Sequence, residues 1–139
     1  TGRAAKVAAS MADDKASTIH KRIFRGNSLD PGNTSFFLAE NRDAKTTFII
    51  DEASLVTDSD DFRYSILQQL TRHVYSAPDS AMILVGDTAQ LPPVGQKESL
   101  AMNPERLQKI GLNPIRFTLD KPVRQAAGSG ILHNATLVR

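Results

Sequence analysis

Short apolar blocks recur along the chain, and their spacing switches between the period of a helix and that of a strand. RAAKVAASMA (3–12) is alanine-rich with high helix propensity, behind a Thr-Gly turn that can cap it. ASTIHKRIF (16–24) predicts a second helix, with Ser17 or Thr18 as its N-cap. RGNSLDPGNTS (25–35) carries Gly, Asn and Asp-Pro-Gly, a dense turn signal that reads as a connection. FFLAEN (36–41) reads as a short strand and RDAK (42–45) as a turn. TTFII (46–50) is a β-branched and aromatic run of the kind that forms a strand buried on both faces. In DFRYSILQQLTRHVY (61–75), Phe62, Ile66, Leu70 and Val74 fall at steps of four with Leu67 alongside, which predicts an amphipathic helix. Asp58, Ser59 and Asp60 offer it N-caps. SAPDS breaks the pattern, and AMILV (81–85) predicts a second buried strand. NPERLQKIG (103–111) predicts a short helix with Pro104 in its first turn and Gly111 at its end. IRFTL (115–119) predicts a third strand, and the tail GILHNATLVR (130–139) a helix start.

Helical and buried-strand patterns therefore alternate, the signature of an α/β fold around a parallel sheet. The 139 residues suffice for one domain with a real core and are too few for two. No repeat, low-complexity segment or domain boundary is visible, so residues 1–139 read as one unit. The chain opens on TGRAAKVAAS without an initiator Met and reads as a fragment.

The alternation also places chemistry. Ligands of open parallel sheets bind beyond the C-terminal ends of the strands. TTFII delivers Asp51 and Glu52 to that edge, and AMILV delivers Gly86 and Asp87. Two acidic loops side by side make an electronegative crevice suited to a hard divalent cation. Mg²⁺ takes oxygen ligands and often only one or two carboxylates, with phosphate and water oxygens completing its shell. The second loop, ILVGDTAQLPPVG (83–95), adds an amide at Gln90 that can donate and accept, and a stiff Pro92-Pro93 pair. Asp87 is placed to cap the GDTAQ turn.

Charge changes the picture modestly. The formal net charge is +2, too mild to announce a polyanion by itself. Its distribution is uneven: Arg3, Lys6, Lys15, Lys21, Arg22 and Arg25 oppose only Asp13 and Asp14 at the start, and residues 40–61 are acidic. Such a pattern can fold into a polarised surface that attracts a polyanion, but from charge alone solvated loops and helix faces explain it better. There is no cysteine, which excludes disulfides and thiolate metal sites and fits a reducing interior, with the cytoplasm as the expected location. No apolar run approaches membrane-spanning length.

FIIDEAS followed by ILVGDTAQLPPVG resembles the Walker B and motif III segments of superfamily-one DNA helicases, closest to the RecD-like, 5′→3′ translocating branch. LDKPVRQ (119–125) resembles motif IV, with Pro122 where an ordinary residue is common. TGRAAK (1–6) and STIH (17–20) resemble motif Ia and the short DNA-contacting motif after it. These segments stand in family order and span most of the chain.

The resemblance implies a P-loop NTPase (RecA-like) domain, incomplete at its N-terminus, that uses ATP and Mg²⁺. It casts Asp51 as the aspartate that positions Mg²⁺, Glu52 as the residue that orients and deprotonates the attacking water, and Gln90 as the γ-phosphate sensor. Arg124 would reach the γ-phosphate with an always-charged planar fork, and Gln125 would support it. Thr1, Gly2 and Arg3, then Thr18 and His20, would face single-stranded DNA through sequence-independent phosphate contacts. Phe24, Phe36 and Phe37 are available for base stacking, with core packing as their ordinary role. No G-x-x-x-x-G-K-[ST] loop occurs in the 139 residues. The resemblance places that loop before Thr1 and a second motor domain after Arg139, so the 139 residues alone are expected to hydrolyse ATP poorly. Two rivals remain: a non-helicase P-loop ATPase with similar strand-end carboxylates, against which QLPPVG and the TGRAAK and STIH segments argue, and a catalytically dead module that binds DNA or protein, against which the intact Asp51, Glu52, Gln90 and Arg124 set argues.

Overall fold

The computed structural model describes residues 16–30 and 33–121, together with Ala5, Ala9 and Ser10 in helical conformation. The rest of the expected 3–12 helix and the expected helix start at 130–139 lie outside the described residues. In chain order the elements are helix α1 (Ile19–Ile23), strands β1 (Phe24–Asp30), β2 (Asn33–Leu38) and β3 (Thr47–Ile50), helix α2 (Ile66–Tyr75), strand β4 (Ala81–Leu84) and helix α3 (Pro104–Lys109). Single 3-10 turns occur at Ala53–Leu55, Phe62–Tyr64 and Leu100–Met102.

The centre is a βαβ unit. β3 and β4 pair in parallel, Thr47 opposite Ala81 and Ile50 opposite Leu84, with α2 in the connection between them. Alternation along the strands sends Phe48, Ile50, Met82 and Leu84 to the face that meets Leu67, Leu70 and Val74 of α2. Those three helix side chains are at most 2% exposed, and burying each contributes ~2 kcal/mol. Ile23 from α1 and Leu107 from α3 complete this core.

The opposite face of the same strands departs from the expectation of burial on both sides. Ile49 is 68% and Ile83 48% exposed, because the described helices gather on the other face. The expected third strand is also absent: residues 112–121 carry no regular structure, and Ile115, Phe117 and Leu119 are exposed. A strand needs a partner edge for its backbone groups, and no described strand pairs with this segment.

The turn-rich 25–35 stretch is a second correction, because much of it is β-hairpin. β1 pairs antiparallel with β2, Phe24 opposite Leu38 and Asp30 opposite Asn33, with a register shift between Ser28 and Asp30. Pro31 and Gly32 of the Asp-Pro-Gly signal lie outside the described residues, and the polar flanks conceal a strand whose pairing is made by backbone groups. The caps of α2 differ as well. Asp61 caps the preceding 3-10 turn by accepting from Arg63 N at 3.0 Å, and Ser65 caps α2 itself by accepting from Gln68 N at 3.0 Å. α3 follows its expectation closely. Asn103 is the N-cap, Pro104 opens the helix, and Gly111 at φ +85° ends it, with Leu112 N donating back to Leu107 O at 3.0 Å.

Candidate functional site

Two strands leaving the sheet side by side bring their loops together. The parallel ladder runs on past the strand ends: Val85 N donates to Ile50 O at 2.9 Å, and Ala53 N donates to Val85 O at 2.8 Å. Asp51 and Glu52 sit between those two bonds, so the acidic pair is fixed against the exit of β4. Gly86 makes the approach possible. A Cβ there would lie 2.8 Å from Ser54 N and 3.0 Å from Met102 Sδ. Glu52 adopts φ +52°, the left-handed region, as the chain turns into Ala53–Leu55. For a residue with a Cβ that conformation costs about 1–2 kcal/mol, and such strain concentrates at functional sites. Asp51 Oδ1 accepts from Glu52 N at 2.9 Å, and both acids are exposed.

The loop after β4 begins with the expected turn. Asp87 Oδ1 accepts from Ala89 N at 2.9 Å, and its carbonyl accepts from Gln90 N at 3.1 Å. Gln90 is exposed and lines an open hollow with Thr88, Pro92, Met102, Glu105 and Arg116. Asp51 and Glu52 do not line that hollow. The acids are thus brought to the start of this loop, and Gln90 stands further along it.

A buried charge network lies behind both loops, and sequence reading missed it. The Asp58 side chain is 0% exposed and pairs with Arg106 Nε, while its other oxygen accepts from Ser65 Oγ. Arg106 also donates to Asp60 Oδ1 and Ser59 O, each at 3.1 Å. Burial works to raise the Asp58 pKa, but Arg106, Ser65 and the Ser59 amide outweigh it and hold the carboxyl below its ordinary value. Gln96 Nε2 donates to the Asp58 carbonyl, which ties the loop after β4 to the loop after β3. In sequence Asp58 resembles one of several helix-capping acids, and nothing local points to Arg106.

Of the DNA-side candidates, Thr18 and His20 are described, and both stand at the start of α1. Thr18 is the N-cap of α1, accepting from Lys21 N at 3.3 Å, a bond that leaves its hydroxyl hydrogen unused. His20 is exposed, its ring 5.6 Å from that of Phe24. Nearby cations are partly engaged: Arg22 pairs with Asp43, and Arg25 folds onto the Lys21, Arg22 and Phe24 carbonyls. Thr1, Gly2, Arg3, Arg124 and Gln125 lie outside the described residues.

Among the described residues, no three His, Asp or Glu side chains converge as a metal cage. The exposed carboxylates of Asp51 and Glu52 suit an ion held by one carboxylate and by oxygens of a bound phosphate. A family model for the AAA domain matches residues 1–133. The chain belongs to that family and has the α/β P-loop NTPase fold, whose members in general use a nucleoside triphosphate with Mg²⁺. No curated protein and no solved structure matches the chain.

Proposed function

We propose that the chain is part of the first motor domain of a superfamily-one, RecD-like DNA helicase that couples ATP hydrolysis to 5′→3′ movement on single-stranded DNA. The observation that carries the reading is the stitched exit of β3 and β4, which sets Asp51 and Glu52 against the start of the GDTAQLPPVG loop. Family membership supports the nucleotide half of the reading. The order of the Ia-like, Walker B-like, III-like and IV-like segments supports the DNA half.

In this reading Asp51 holds the Mg²⁺ that neutralises the triphosphate. Glu52 accepts a proton from the attacking water, and Gln90 senses the terminal phosphate. Arg124, backed by Gln125, spreads the charge that develops on the transferred phosphoryl group. Thr1, Gly2, Arg3, Thr18 and His20 contact the DNA backbone. The phosphate-cradling loop and the second motor domain come from parts of the protein outside these residues. The partner is single-stranded DNA, or duplex DNA being opened.

Comparing Glu52→Gln with wild type in the full-length protein tests this. Wild type hydrolyses ATP faster with single-stranded DNA and separates duplexes. Glu52→Gln loses at least ~100-fold in turnover while still binding DNA. ATPase indifferent to DNA, or a wild type that binds DNA without any turnover, would replace the helicase reading with one of its rivals.

A further inference from the structure

We propose that Gln96 is a positioning residue for Gln90, with the buried Asp58–Arg106 pair as its anchor. The assignment rests on the ATPase reading above and concerns how that site is held. The two site loops are joined twice. At the strand exits Ala53 N donates to Val85 O, and at the far end Gln96 Nε2 donates to the Asp58 carbonyl. The segments 53–58 and 85–96 therefore form a closed ring, and Gln90 lies inside it.

The ring is stiff on both sides. Pro92 and Pro93 fix φ beyond Leu91, Pro93 is buried, and its carbonyl accepts from Gln96 N at 3.0 Å. The chain reverses into Gln96 through Gly95 at φ +82°. On the other side Asp58 has little freedom to yield. Its carboxylate is held by Arg106 and Ser65, Arg106 is held by Asp60 and Ser59, and Leu67 N donates to Thr57 O at 3.1 Å. Beside the turn bonds at Asp87 and Pro93, the side-chain bond from Gln96 to Asp58 ties the far end of the Gln90 loop back to the first loop. Gln96 also has a buried acceptor, Oε1, without a hydrogen-bond partner among the described residues. An unsatisfied buried acceptor is destabilising, so simple packing would be better served by an apolar side chain. The amide is explained by its donor.

The test compares Gln96→Leu, which keeps bulk without a donor, with Gln96→Lys, which keeps a donor of similar reach, in the full-length protein. Gln96→Leu is expected to lower kcat for DNA-stimulated ATP turnover about tenfold with KM for ATP nearly unchanged, as misplacing a positioned group does. Gln96→Lys is expected to retain most of kcat. Without nucleotide, Gln96→Leu is expected to speed amide exchange about tenfold at residues 88–96 and not in α2, a local opening. Unchanged exchange and kcat in Gln96→Leu overturn the proposal, as does Gln96→Lys behaving like Gln96→Leu. Glu52→Gln, run alongside, separates the failures. If it abolishes turnover while Gln96→Leu changes nothing, this assignment alone falls. If turnover survives Glu52→Gln, the ATPase reading falls and takes the assignment with it.

Discussion

At one end of α2 the protein buries a charge, and at the other it buries a histidine held neutral. Asp58, beside the Ser65 cap, is surrounded by donors from Arg106, Ser65 and the Ser59 amide, and the positive end of the helix favours its charge. His73, in the last turn, is 2% exposed and has one polar partner among the described residues: its Nδ1 is 2.8 Å from Ala39 O. A carbonyl can only accept, so Nδ1 carries the proton and Nε2 is a bare acceptor, buried without a partner among the described residues. Phe48 meets the ring edge-on at 6.1 Å. The difference is one of reach. A buried carboxylate needs several donors and so ties together the loop after β3, the start of α2 and α3. A neutral imidazole needs one acceptor and fixes only the chain near Ala39 to the helix. The site loops are anchored at the charged end.

Breaking the charged end has the larger effect. Asp58→Ala leaves the Arg106 guanidinium, 17% exposed, without its buried partner. A loss of about 3–5 kcal/mol in urea unfolding is expected, as when one member of a buried pair is removed. A change below 1 kcal/mol would show that the network is incidental.

Acid separates the two ends. Burial, with Arg22 and Arg25 adding positive charge, lowers the His73 pKa below its ordinary 6.5 despite the bond to Ala39. Between the two values the unfolded chain binds the extra proton, so the His73 contribution is intact above pH 6.5 and is lost as pH falls below it. The slope reaches at most ~1.4 kcal/mol per pH unit. Asp58 is also lowered, from 3.8, so its contribution persists above pH 3.8 and disappears only as pH falls through its depressed folded value. His73→Asn keeps a donor for Ala39 and removes the titration. Unfolding measured from pH 7 downward is expected to lose its upper slope in that variant and keep the lower one. An unchanged upper slope would assign it to another group.

Local chemistry was legible in the sequence, and long-range contact was not. The βαβ unit follows from apolar period, and α3 from Asn103, Pro104 and Gly111, because each signal is complete within a few residues. The strand in 25–30 was hidden because Arg25, Gly26 and Asn27 give no apolar strand pattern, while ladder pairing is made by backbone groups. Residues 115–119 read as a strand because alternation specifies a conformation and says nothing of a partner edge. The acids at the end of β3 could be seen. The left-handed turn at Glu52, the Gly86 contact and the Asp58–Arg106 pair could not, since the last joins residues 48 positions apart.

The most direct test of the central claim is the binding of a fluorescent ATP analogue to the full-length protein, with Mg²⁺ and with EDTA, for wild type and Asp51→Asn. If the acids at the exit of β3 serve a magnesium-bound triphosphate, Mg²⁺ tightens binding in wild type, and Asp51→Asn loses at least about tenfold of that gain, as expected for a carboxylate that ligates the ion. Equal Mg²⁺ dependence in the two proteins would contradict the account.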